Sequence, residues 1–334
     1  VPPPIPHTNP PTWPDLRPGS IADELGSGCR GLSEAQATPD PPTTPIAILG
    51  LPDDTGVALN NGRPGASGGP TAFRAALARF GNPFDAETGR ALSTRFLDCG
   101  DIVCSDHPDP ETRLHETHDR ASEAIEALHE AGFITVGIGG GHDGTFAFAR
   151  GLARHLQSQS PDARLGGLNL DPHLDVRETT GSGMPFRQLI EQGFMDPARF
   201  VELGIGRFSN SREHIEYLTT RSAHLVTIDR LLSDPKIEVD RAFEHAFGSG
   251  DPGFVTIDLD SLDGSFAPGV SAVNPMGVTP ALAAAVAEQA GSNPAVGHFD
   301  IMELSPTHDD GRTARIAAML FVHFLAGYER RTQA

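Results

Sequence analysis

Residues 165–180 read LGGLNLDPHLDVRETT. Leu165, Leu168 and Leu170 form a short apolar run, the pattern of a strand buried on both faces. The run then meets Asp171, His173 and Asp175, three potential metal ligands at alternate positions. In open parallel sheets, ligands bind beyond the carboxyl ends of the strands. An apolar strand that ends on two acids and an imidazole therefore predicts a parallel sheet with a site at its edge. If the backbone stays extended, alternate spacing aims all three side chains at one point.

Working outward, short apolar runs recur at Ile46–Leu51, Arg95–Leu97, Phe133–Ile138, Phe200–Leu203, His224–Ile228, Phe254–Ile257 and Val296–Phe299. With Leu165–Leu170 they make eight candidate strands. Helical patterns lie between them. Glu111–Ala131 is the clearest, with Leu114, His118, Ala121, Ile125 and Leu128 on one stripe; Thr71–Phe80, Gly144–Gln157, Pro280–Ala290 and Thr313–Arg330 read similarly. Strand–helix alternation predicts an α/β fold, a single three-layer α/β/α domain around a mostly parallel eight-stranded sheet. Residues 1–44 are rich in Pro, Gly and polar residues and read as an extension that wraps the surface or stays mobile, with the domain itself spanning 45–334.

The 334 residues suffice for one large domain, and the apolar (38%) and charged (21%) fractions are those of a globular protein. A formal net charge of -19 sets aside nucleic acid and anionic membrane surfaces as partners, leaving a small molecule. Cys29, Cys99 and Cys104 are odd in number and lack a CxxC pair, which argues against a disulfide scaffold. The opening VPPPIPHTNPP has no basic or apolar region of a secretory signal, and the run Ile316–Gly327 is too short to span a bilayer, so a cytoplasmic location is expected.

Reading past each strand gathers the candidate chemistry. GGGHD supplies His142, DPHLD supplies Asp171, His173 and Asp175, DLDSLD supplies Asp258, Asp260 and Asp263, and DIMEL supplies Asp300 and Glu303. Any one of these could be a capped turn or a polar loop. Together, so many acids at converging strand ends repel one another unless cations neutralise them. Two histidines and four aspartates suit two divalent ions, and oxygen-rich ligation without thiolate points to Mn²⁺. Two such ions about 3.5 Å apart can hold a bridging water and make it a hydroxide near neutral pH. The chemistry implied is hydrolysis of an unreactive carbon–nitrogen or phosphorus–oxygen centre.

At these residues the chain resembles the ureohydrolases, the arginase and agmatinase superfamily of dinuclear manganese enzymes. The matching elements are GGGHD (139–143), DPHLD (171–175), DLDSLD with SFAPGV (258–270) and DIMELSP (300–306). Pro172 stands where that superfamily usually has alanine. NNGRPGASGGPTAFR (60–74), SGMPFRQL (182–189), LGIGRFSNSREHIEY (203–217) and PTHDDGRTARIAA (306–318) look most like the formimidoylglutamase branch. The resemblance implies an arginase-like fold, two Mn²⁺ per subunit, a homo-oligomer (trimer or hexamer), and hydrolysis of N-formimidoyl-L-glutamate to L-glutamate and formamide.

It further implies His142, Asp171, Asp175 and Asp258 around one ion and Asp171, His173, Asp258 and Asp260 around the other. Asp175 and Glu303 become the catalytic candidates, Asp175 orienting the hydroxide and Glu303 pairing with the formimidoyl nitrogens. Ser182 replaces a histidine of arginases and agmatinases at the substrate site. Arginine forks suit the carboxylates of a glutamate moiety: Arg177 first, Arg63 second, with Arg187 and Arg207 balanced against surface or interface ion pairs. Two alternatives stand beside this reading: a urea-releasing hydrolase of a guanidino acid such as guanidinobutyrate, and a non-catalytic metal-binding relative.

Overall fold

The computed structural model describes residues 5–27 and 45–331. Eight long strands form one parallel block: β1 (Ile46–Leu51), β2 (Phe96–Ile102), β3 (Ile134–Gly139), β4 (Leu165–Leu170), β5 (Met195–Ile205), β6 (His224–Thr227), β7 (Gly253–Asp258) and β8 (Val296–Met302). Their spatial order is β2-β1-β3-β8-β7-β4-β5-β6. Two further strands complete a ten-stranded sheet, both on β2: Thr8–Asn9 runs antiparallel to it and Gly26–Ser27 parallel. Part of the segment expected as an extension is therefore sheet edge, and Ile21, Ala22 and Leu25 are buried in the core. Residues 28–44, with Cys29, lie outside the described residues.

The major helices are α1 (Gly69–Leu77), α2 (Pro110–Glu130), α3 (Gly144–Gln159), α4 (Pro185–Glu191), α5 (Pro235–Phe247), α6 (Pro280–Ser292) and α7 (Arg312–Arg331). One face of the sheet packs against α1, α5, α6 and α7 through residues such as Phe73, Phe243, Ala287 and Phe321. The other packs against α2, α3 and α4 through Leu114, Ile125, Phe148 and Phe186. The strands are apolar on both sides because both faces are covered. Every residue of the stripe predicted for α2 is buried. Its start is set by Asp109, which accepts the Thr112 N–H at 2.9 Å, with Pro110 at the first helical position.

The structure departs from the sequence pattern at three further places. The expected Arg95–Leu97 strand continues to Ile102 although it contains Asp98 and Asp101. The buried Arg74 guanidinium neutralises both, meeting Asp98 at 2.7 and 3.0 Å and Asp101 at 2.7 Å. β8 runs three residues further than Val296–Phe299, so Asp300 is inside the strand, fully buried 3.2 Å from His298, and not at its end. Helix α5 lies outside the expected helices, although Val239, Ala242, Phe243, Ala246 and Phe247 make its buried stripe.

Candidate metal centre

The strands β3, β4, β7 and β8 are neighbours, so their carboxyl ends deliver the expected residues to one place. The chain does not stay extended there. Asp171 Oδ1 accepts the N–H of His173 at 2.6 Å, and Asp258 Oδ1 accepts the N–H of Asp260 at 2.7 Å. Each aspartate thus makes a tight turn with the residue two further on, and the turn, not strand alternation, swings both side chains of the pair toward the centre. Asp175 returns to the same point with a φ of 43°, in the left-handed region that L residues rarely adopt. His142 arrives through the glycines of GGGHD. A Cβ on Gly140 would sit 2.2 Å from the Asp53 carbonyl oxygen, so only glycine fits that passage.

The six ligand candidates meet in two adjoining groups. Ligand atoms of His142, Asp171, Asp175 and Asp258 lie within 4.8 Å of one another, as do those of Asp171, His173 and Asp260. Asp171 belongs to both. Among the described residues Asp258, expected in both, falls within that distance of the first group and not of the second. His142 Nδ1 has carboxylate oxygens of Asp175, Asp171 and Asp258 at 2.9, 3.1 and 3.2 Å. Among the described residues it still forms no well-directed hydrogen bond, and buried Asp260 Oδ1 and Glu303 Oε2 have no partner. Donor atoms that converge on a shared centre without pairing fit a cation cage. Oxygen and imidazole donors suit Mn²⁺.

The electrostatics agree. Burial alone would push the His142 imidazolium pKa down, but Asp171, Asp175 and Asp258 outweigh it and hold it well above the usual value. His173 is raised against the same burial by Asp260 and Asp171. Burial, then the charges of Asp260 and Asp171, keeps the Asp258 carboxyl well above the carboxylate range. Burial pushes Asp260 up to about 6. A cluster of this kind takes up positive charge, as protons or as metal ions. On the far side of the ring, Thr256 Oγ1 lies 3.1 Å from His142 Nε2 and fixes its orientation.

Above the cage opens a cavity of about 410 Å³. Glu303, with a φ of 63°, forms part of its floor; its Oε1 accepts the His142 N–H at 3.0 Å. Arg177 and Ser182 line the wall. The Arg177 side chain lies along Gly183, where a Cβ would sit 2.8 Å from Cδ. Among the described residues no hydrogen bond or ion pair uses its guanidinium. Arg63 is not on the wall: Nε and Nη2 donate to the carbonyls of Ser271 (2.9 Å) and Val270 (2.7 Å), clamping that loop. Arg187 is buried, donating to Val176 O at 2.7 Å beneath the Tyr217 ring, and Arg207 is an exposed partner of Asp229. The sequence reading missed His214, Asn210 and Asn60, which also line the cavity. His214 and Asn210 follow the carboxyl end of β5, so the strand-end rule would have found them.

Residues 44–327 match the sequence model of the arginase family. Formimidoylglutamase of Ralstonia nicotianae is 34% identical over 296 residues, 84% of this chain and 85% of the relative. That of Aromatoleum aromaticum is 35% identical over 281 residues, 82% of this chain and 81% of the relative. Among solved structures, Trypanosoma cruzi formiminoglutamase with two Mn²⁺ superposes with a TM-score of 0.81 at 28% identity, covering 93% of this chain and 99% of that one. The family match spans the strands that carry all six ligand candidates, and this chain belongs to the arginase family.

Proposed function

We propose that this chain is a dinuclear manganese hydrolase, two Mn²⁺ per subunit, that cleaves N-formimidoyl-L-glutamate to L-glutamate and formamide. The observation that carries the reading is the pair of adjoining ligand groups sharing Asp171, at the floor of a cavity whose wall bears the Arg177 guanidinium. Curated relatives with the formimidoylglutamase name support the substrate. Bound manganese supplies hydroxide from water near neutral pH. His142, Asp171, Asp175 and Asp258 would hold one ion, and Asp171, His173 and Asp260 the other. Glu303 Oε2, buried and without a partner among the described residues, accepts N–H from the cationic formimidoyl group and aligns its carbon. Arg177 forks onto a carboxylate of the glutamate moiety, and Ser182 borders it. Asp175 would orient the hydroxide, take the proton that it gives up on attack and pass that proton to the leaving amine.

Residues 45–334 form the catalytic unit in this reading, supported by the family match from residue 44. The chain acts in the cytoplasm as a homo-oligomer, a trimer or hexamer by family resemblance; light scattering on the purified protein tests the assembly. No helix among the described residues is long and apolar enough to cross a membrane. The decisive experiment assays Mn²⁺-loaded protein on formimidoylglutamate, arginine, agmatine and guanidinobutyrate. Formamide released from the first, well above urea from the others, is the expected outcome. Faster urea release from a guanidino acid overturns the substrate, and no turnover of any of the four overturns the enzyme reading.

A further inference from the structure

Beneath the ligands runs a second row of buried polar side chains. Asp300 of β8, Thr256 of β7, Asn169 of β4 and Glu202 of β5 are register partners across four adjacent strands, all fully buried. Thr256 stands two residues before Asp258, and Asn169 two before Asp171. Side chains two apart on a strand share a face, so the row looks up at the cage. Thr256 meets the His142 ring as described above. Asn169 does the equivalent for Asp171: its Nδ2 donates to Glu202 Oε2 at 2.8 Å and lies 3.3 Å from Asp171 Oδ2. The other Asp171 oxygen is already held by the His173 N–H. Both oxygens of the one carboxylate common to the two ligand groups are thus oriented, one by backbone and one by Asn169.

Glu202 has no comparable employment of its own. Among the described residues its Oε1 is buried without a partner, and its one hydrogen bond goes to Asn169. A buried carboxyl with a single partner opposes folding, and an apolar side chain would pack there at less cost. Its retention is explained by what it does to Asn169. We propose that Glu202 is a positioning residue for the dinuclear centre: by fixing the Asn169 amide it sets the orientation of Asp171, the carboxylate shared by both ion sites. The inference rests on the manganese reading above.

The test is a calorimetric titration of chelator-stripped, full-length protein with Mn²⁺ alone, with melting temperature measured before Mn²⁺ is added. Glu202→Leu and Asn169→Leu are expected to weaken Mn²⁺ binding on the order of 10–100-fold, the usual effect of losing a group that orients a ligand. Glu202→Gln keeps an oxygen that accepts from Asn169 and should stay within about threefold of the parent. Glu202→Leu should melt no lower than the parent before Mn²⁺ is added, since a buried carboxyl is gone. A purely structural role would lower that melting temperature and leave the affinity alone. Unchanged affinity in Glu202→Leu, or in Asn169→Leu, overturns the inference, as does Glu202→Gln binding as poorly as Glu202→Leu. Should Glu202→Leu fail to fold, Asn169→Leu and Glu202→Gln carry the same comparison. A parent protein that binds no Mn²⁺ overturns the manganese reading instead.

Discussion

Arg177 and Glu303 face the same cavity with opposite tasks, and their variants should fail differently. A charge-assisted arginine–carboxylate contact contributes about 1.5–3 kcal/mol, so Arg177→Ala should raise KM for formimidoylglutamate by roughly tenfold to a hundredfold. Mn²⁺ content should be unchanged, because arginine ligates nothing. Unaltered KM would mean that the carboxylate is held elsewhere on the wall. Glu303→Gln should mainly lower kcat, since alignment of the electrophile matters most in the transition state. The histidines set the pH behaviour. His142 and His173 hold their protons above the usual imidazole range, so near neutral pH an incoming Mn²⁺ must displace them. Raised pKa values here mean that protons compete, and the competition fades as pH rises. Mn²⁺ binding should therefore release protons and tighten as pH rises through and above the ordinary imidazole range, measurable by calorimetry in buffers of different ionisation enthalpy. Binding that weakens over that range would contradict the assignment of these ligands.

At the scale of elements, the site is made by turns that follow strands. The turn after β3 is a tight passage. Gly140 donates its N–H to the Leu51 carbonyl at 3.0 Å, and a Cβ there would lie 2.2 Å from the Asp53 oxygen and 2.7 Å from that of Leu51. Both obstacles are backbone, so no side-chain rotation relieves them. Gly140→Ala should destabilise the fold by about 1–3 kcal/mol, the cost of overpacking a filled interior. It should also displace His142 and reduce Mn²⁺ content. Urea denaturation and metal analysis of the purified variant check the two effects together. A fully loaded variant of parental stability would show that the loop yields more easily than its backbone contacts imply.

The whole molecule is tied at one sheet edge by a buried charge cluster. Arg74 of α1 joins Asp98 and Asp101 of β2, and Trp13 of the N-terminal segment donates to Asp98 at 2.9 Å. Burial works against the Arg74 charge, but the two aspartates reverse it and hold the guanidinium firmly protonated. Arg74→Met would leave Asp98 and Asp101 without their counter-charge, a loss of about 3–5 kcal/mol for a broken buried pair. Trp13 is the chain's single tryptophan, so its fluorescence reports directly on whether the segment stays docked. The expected outcome is a lower urea midpoint with earlier Trp13 exposure. An unchanged midpoint would show that the apolar contacts of Ile21 and Leu25 suffice to hold the edge.

The sequence by itself determined the parallel sheet and named the candidate ligands. Both are local: an apolar run of strand length, followed at once by acids or histidine, states where a strand ends and what stands at its end. His142, Asp171, His173, Asp175, Asp258 and Asp260 were all legible on that ground. Tertiary structure decided how they converge, because the turns made by Asp171 and Asp258 and the left-handed Asp175 are not written in spacing. It separated Glu303 from Asp300, three residues apart, by extending β8 through the latter. It also separated two arginines of similar promise: Arg177 turns into the cavity, whereas Arg63 is captured by carbonyls of residues 270 and 271, some two hundred positions away in the chain. Asn169 and Glu202 were invisible for the same reason. Their meaning lies in strand register, which brings β4 and β5 side by side and is fixed only when the whole sheet assembles.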